Sequence, residues 1–270
     1  MRNIQCFLIL FLCSLINVRG QRYSEEYIFN VDQAYHMFGD NVKLREAPNT
    51  NSETIILLPI GSEVKILEKT KVTYTYKGIV SLWYKVAYKN TIGYVVGGLI
   101  AMDKLVGSTN KEDSFLFILS KKDEITSVNV RAINKNKLIN ELSIRLVGNG
   151  GFSIKNEGNK GVKNIRDILI VDNESESCGV DGGKSYLFWN GIKLSNIANT
   201  SEISDGDLYH YESKYIFPDD DRGIPNVIVY QEEQGEMKDE ETEWYVTIKQ
   251  QCNLTWDGEK LLPENYKSRK

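Results

Sequence analysis

The sequence predicts an all-β protein: a small barrel followed by a β-meander domain, either a sandwich or an incomplete propeller. Three observations carry that expectation. Apolar residues come in short, often alternating runs between Gly, Asn, Asp and Pro clusters, the pattern of short strands and tight turns. Val, Ile, Tyr and Thr dominate the runs, and such side chains suit a pleated sheet. No stretch beyond the first 20 residues has the periodicity of an amphipathic helix.

The first segment reads as a cleavable signal peptide over residues 1–20. Arg2 supplies a positive start, Cys6 to Ile16 is an apolar run, and Val18 and Gly20 are small residues ahead of Gln21. The run is too short to span a bilayer, and no other stretch reaches that length. An exported chain, periplasmic or secreted, is therefore expected, with no membrane span once the signal is removed. Without residues 1–20 the chain has 31 basic and 37 acidic residues. That balance argues against nucleic-acid binding, which needs clustered Lys and Arg.

From 31 to 102 the strands follow one another closely. Val42 and Leu44 share a face, as do Val64 and Ile66. The segments 47–52 and 59–62 are turns in which Pro fixes φ and Asn or Ser bonds nearby backbone. Trp83-Tyr84-Lys85-Val86-Ala87-Tyr88 and Tyr94-Val95-Val96 complete five or six strands, enough for a small barrel. The order Asn41-Val42-x-Leu44-Arg45, Pro48, Ser52, Gly61-x-x-Val64-x-Ile66, Trp83-Tyr84-Lys85-Val86 and Gly93-Tyr94-Val95 resembles the bacterial SH3 domain family. The resemblance implies an SH3-like barrel that recognises cell-wall peptide or a protein partner. Glu46-Ala47 stands where the family commonly has Ser-Gly, and Tyr94 where Trp is usual. The connection Thr70 to Ser81 is longer than typical.

Residues 103–112 are polar and read as a linker. The region 113–262 shows weak repetition. Strands with polar starts begin at Asp113, Asp167 and Asn226, and Trp-(Asn/Asp)-Gly-x-Lys-Leu recurs at Trp189 and Trp256. Asn-Gly and Asp-Gly favour the two-residue type I′ hairpin turn. The pattern is similar to propeller blades of the FG-GAP kind, though three blades are too few to close a propeller.

Chemistry-bearing residues are scarce. Cys178 and Cys252 form an even pair in a chain expected to be exported, which points to a disulfide. Parity places Cys252 on an apolar face, so a nucleophilic dyad with His210 is disfavoured. His36 and His210 are too few for a His-rich zinc site. Asp219-Asp220-Asp221-Arg222-Gly223 is similar to a calcium loop, but Pro218 and Arg222 fall where carboxylates are needed. No metal or cofactor is expected. The acidic run Glu232–Glu243 reads as a hairpin tip or solvated loop.

The candidate ligand-binding residues are Tyr74, Tyr76, Trp83 and Tyr94. Aromatics at a groove offer flat apolar area with a polar rim. Tyr74 and Tyr76 share parity in the long connection, so one face of a hairpin arm can present both. Trp83, with Tyr84 and Tyr88, can equally fill the barrel. The function expected is that of a non-enzymatic, exported binding protein of the cell envelope. The alternatives are a wall-associated hydrolase with an unrecognised catalytic β domain, or a structural subunit engaging partners through sheet edges.

Overall fold

The structure is a computed structural model describing residues 21–148, 150–175, 178–206, 208–239, 241 and 244–267. The expected signal, residues 1–20, lies outside the described residues, as do Glu240, Thr242 and Glu243 in the acidic run.

Alternation builds the barrel. Its sheet joins β1 (Ala34–His36), β2 (Val42–Arg45), β3 (Thr54–Leu58), β4 (Glu63–Tyr76), β5 (Ile79–Tyr88) and β6 (Thr91–Val96) in the order β1-β4-β5-β6-β2-β3. Val42, Leu44, Val64, Ile66, Tyr84, Val86 and Val95 turn inward and pack with Phe29. A 3-10 turn at Gly97–Leu99 closes the unit.

Three antiparallel meanders follow. The first has β7 (Asp103–Val106), β8 (Asp113–Lys122), β9 (Ile125–Asn134) and β10 (Lys137–Arg145). The second has β11 (Phe152–Asn156), β12 (Asp167–Asn173), β13 (Gly183–Trp189) and β14 (Leu194–Asn199). The third has β15 (Glu202–Asp205), β16 (Tyr209–Ile216), β17 (Ile228–Asp239), β18 (Trp244–Trp256) and β19 (Leu261–Leu262). Successive units stack on one another. Leu116, Ile118 and Ile133 of the first meander meet Phe38, Ile60 and Ala101 of the barrel. Its other face, with Phe115, Phe117 and Val130, meets Leu169, Val171, Leu187 and Trp189 of the second. Ile168, Ile170, Tyr186 and Phe188, on the second meander's far side, meet Tyr215, Phe217, Ile228 and Leu254 of the third. Strands buried on both faces must be apolar at every position, which is why β8 and β12 are continuous rather than alternating runs.

The polar strand starts pin the stack. Asp113, with its side chain 2% exposed, accepts hydrogen bonds from Trp189 Nε1 (3.0 Å), Asn134 Nδ2 (2.7 Å) and Arg166 Nη1 (3.1 Å). Burial opposes the charge, but these donors outweigh it and hold the carboxyl below its ordinary range. Asp167 Oδ1 plays the same part at β12, accepting from the Ser108 backbone N–H (2.7 Å) and Asn156 Nδ2 (2.8 Å).

Four expectations are corrected. The stretch 103–112 is not a free linker. Asp103–Val106 pairs with β8, Leu105 packs into the core, and Thr109 Oγ1 donates to the Arg166 carbonyl at 2.5 Å. The turns after Trp189 and Trp256 are four-residue turns. Trp189 pairs with Leu194, and Asn190 Oδ1 accepts the N–H groups of Ile192 and Lys193; Asp257 does the same for Glu259 and Lys260, with Trp256 opposite Leu261. The side chain closing each turn, rather than a I′ backbone, is what the motif repeats. The acidic run is largely strand. Residues 232–239 continue β17, and the Glu232 carboxylate is buried because Tyr211 and Tyr230 donate to it at 3.2 and 2.9 Å.

The disulfide does not form: Cys178 and Cys252 are free thiols. Cys178 sits exposed beside Gly179, whose N–H bonds Ser204 of β15, whereas Cys252 lies opposite Tyr230 in β18. Three strand spacings separate β15 from β18, roughly 14 Å, twice the Cα separation of about 7 Å that a disulfide spans.

Candidate functional site

The long connection between β4 and β5 is a hairpin arm. Bulges between Ile66 and Glu68 and between Lys69 and Thr73 bend it away from the barrel, and Lys77-Gly78 makes its tip. The tip does not hang in solvent. Lys77 C=O accepts the Lys121 N–H at 2.8 Å, and Lys77 Nζ pairs with Glu141 at 3.3 Å. Gly78 has φ +80°, and a Cβ there would strike the Lys121 carbonyl oxygen. Tyr76 packs into the barrel–meander cluster and over Gly98, while Ile79 joins the core between the first two meanders. The arm is thus a strap holding the barrel to its neighbour.

The four candidate residues therefore separate into two groups. Tyr74, Trp83 and Tyr94 share the outer face of β5 and β6. Tyr74 pairs with Ser81, Trp83 with Val96, and Lys85 with Tyr94, so one parity carries all three aromatics. Trp83 is 3% exposed and serves as a platform, with the Tyr74 ring edge-on at 6.4 Å. Tyr74 stays open at 42%, and Tyr94 is half-buried. Tyr94 also pairs with Arg45 of β2, whose Nη1 donates to the Ser52 carbonyl at 2.6 Å. Arg45 and Lys85 flank Tyr94, giving a face of one open and one half-buried phenol beside two cations. Tyr76 has the same parity, but the arm carries it into the domain junction. Tyr84 and Tyr88 point the other way, into or against the barrel core.

His210 lies on the outer face of the third meander. Its Nδ1 is 2.6 Å from the Tyr245 hydroxyl, the rings stack at 5.9 Å, and Nε2 is 3.6 Å from Glu233 Oε1. Gly235 makes room: a Cβ there would strike both side chains. The hydrogen bond from Lys249, ahead of the contact with His210, keeps the Glu233 carboxyl below its ordinary range. Cys252 is on the opposite, inner face of the same sheet, so it forms no dyad with His210. Asp220 Oδ2 accepts the Phe217 N–H at 2.7 Å and Oδ1 pairs with Lys160 Nζ at 2.7 Å, so an ammonium occupies the loop that resembled a calcium site. Among the described residues no group of three or more His, Cys, Asp or Glu is placed to hold a metal ion. No helix of the described residues is long and apolar enough to cross a membrane.

The sequence reading missed a cleft of about 490 Å³ between β1 and β7, lined by residues from both and from 21–33. No spacing announces it, because its two walls are some 70 positions apart in the chain.

Residues 40–101 match the bacterial SH3 domain family. The match takes in β2 to β6 and the arm, and leaves out β1, the preceding segment and all three meanders. No curated protein and no solved structure matches the chain.

Proposed function

From a barrel that matches the bacterial SH3 domain family, we propose an exported, non-catalytic binding protein of the cell envelope. Its barrel recognises cell-wall peptide or a protein partner, and the three meanders act as a rigid mount. The observation that carries this reading is the shared face of Tyr74, set against Trp83, and Tyr94, flanked by Arg45 and Lys85. Phenols give a peptide flat apolar area at low entropic cost, and the cations suit carboxylates of wall peptides or acidic side chains of a partner. Export rests on the signal-like residues 1–20. Support for the non-catalytic reading comes from the third sheet, where Cys252 and His210 lie on opposite faces and cannot act together.

The test is co-sedimentation of the purified protein with peptidoglycan sacculi, beside the double variant Tyr74→Ala/Tyr94→Ala. Saturable binding weakened about tenfold or more in the variant is expected, the size of effect that losing two aromatic contacts gives. Absence of binding at every salt concentration discards the wall as ligand and leaves protein partners. Release of soluble muropeptides that vanishes in His210→Ala overturns the non-catalytic reading.

A further inference from the structure

The cleft lies between two edge strands, β1 and β7, with the rest of its lining from residues 21–33 and 101–102. β1 pairs with β4 on one side and, among the described residues, is bonded on the other only at its C-terminal end, where His36 meets Ala101 and Met37 bridges Ile100; β7 ends the first meander. Along β1 the direction of the backbone groups alternates. Met37 N–H bonds the Ser62 carbonyl on the β4 side, while His36 C=O accepts the Ala101 N–H on the other. By the same alternation the Ala34 N–H and C=O point away from β4, towards the cleft, and among the described residues neither makes a hydrogen bond outside the ladder.

The side chains add a second, independent feature. Tyr27 and Tyr35 form an aromatic wall whose hydroxyls are anchored: Tyr27 donates to the Met102 carbonyl at 3.2 Å, and Tyr35 accepts the Asn30 N–H at 3.1 Å. Asp103 is already spent on its own surroundings, with Oδ2 taken by the Tyr23 hydroxyl (2.8 Å) and Oδ1 by the Lys104 N–H (2.7 Å). The Lys104 ammonium, in contrast, pairs with no carboxylate among the described residues. His36, at the other lip, is held below its ordinary pKa by burial and then by Lys104, so near neutrality it adds no second cation to the cleft.

The free backbone groups of Ala34, an aromatic wall and an unpaired cation in one cleft are the requirements for one kind of guest. We propose that this cleft is a second binding site, taking the carboxylate-bearing C-terminal end of an extended peptide. The peptide backbone adds beside Ala34, a side chain lies on Tyr27 and Tyr35, and the terminal carboxylate meets Lys104. Apart from Ala101, every residue lining the cleft lies outside 40–101, so the site is an addition around the matched domain. It is also separate from the Tyr74–Tyr94 face, and either can fail without the other.

The experiment is a titration of the purified protein, followed by backbone amide NMR shifts. The probes are N-acetyl-tetra-alanine with a free carboxylate and the same peptide as its C-terminal amide. The free acid is expected to shift Ala34, His36 and Lys104 saturably, and to bind about tenfold tighter than the amide, the weight of one charge-assisted contact. Lys104→Gln should abolish that preference with the melting temperature unchanged, while Arg45→Gln should keep it. Equal affinity for acid and amide, shifts confined to other surfaces, no saturable shift for either peptide, or a preference that survives Lys104→Gln each overturns the proposal.

Discussion

Removing the Phe38 ring tests whether the barrel and the meanders unfold as one body. Phe38 is fully buried between Ile60, Ala101, Leu116, Ile118 and Ile133, and Tyr76 closes the cluster. The Arg131 guanidinium lies over the ring at 4.4 Å, donates to the Phe38 carbonyl at 2.7 Å, and is held by Glu141 at 3.0 Å. Phe38→Ala loses about 3–5 kcal/mol from transfer and cavity terms. The cation–π contact adds roughly 0.5–2 kcal/mol. At about 2–4 °C per kcal/mol for a chain of this size, the melting temperature should fall by roughly 10 °C or more. Scanning calorimetry reads the shift, and Ile192→Ala, at a position 76% exposed, is the control that should stay within about 0.5 kcal/mol. A double-mutant cycle with Arg131→Met should return a coupling of about 1 kcal/mol. Two separated transitions in the unmodified protein, or a shift of a degree or two in Phe38→Ala, would show that the junction is not a shared core.

Three further outcomes follow from the described contacts. Asp113 has its folded pKa below the unfolded value, so its contribution is present above about pH 4 and disappears as pH falls through the lower folded value. Asp113→Asn should therefore cost stability at pH 7 and much less near pH 2, as read by urea unfolding at the two pH values. Gly78→Val places a side chain against the Lys121 carbonyl at φ +80° and should cost about 1–3 kcal/mol while freeing the arm, detected as faster amide exchange at Lys121. Both thiols should titrate with a thiol reagent, Cys178 rapidly and Cys252 slowly or only on unfolding, and an intact mass showing two hydrogens missing would contradict the free pair.

Much of the barrel was legible because one face of each strand is wet, and alternation records it at Val42, Leu44, Val64 and Ile66. The repeat motif at Trp189 and Trp256 was legible as a recurrence but not as a turn type, since Asn-Gly alone does not reveal that the side chain closes a four-residue loop. Parity correctly aligned Tyr74 with Tyr76, yet it cannot report that two bulges swing the arm so that Tyr76 meets another sheet. The acidic run misled because one of the two phenols that satisfy Glu232, Tyr211, comes from the neighbouring strand β16. The disulfide misled because cysteine counting carries no distance. Sites assembled across units, such as the β1–β7 cleft, leave no local pattern to read.

The residues ahead of the barrel impose an order on synthesis. Tyr23 exchanges backbone hydrogen bonds with Phe152 of β11 at 2.8 and 3.0 Å and is buried against Phe117, while Phe29, six residues later, fills the barrel core. A chain leaving the ribosome presents Tyr23 first and its partner about 130 residues afterwards. At roughly 5–20 residues per second, many seconds pass in which that end has no seat. A fragment stopped near residue 102 never acquires one, and it leaves Phe38, Ile60 and Tyr76 facing water besides. The family-matched stretch is in that sense a domain in outline but not in manufacture: its surfaces are finished by strands made after it.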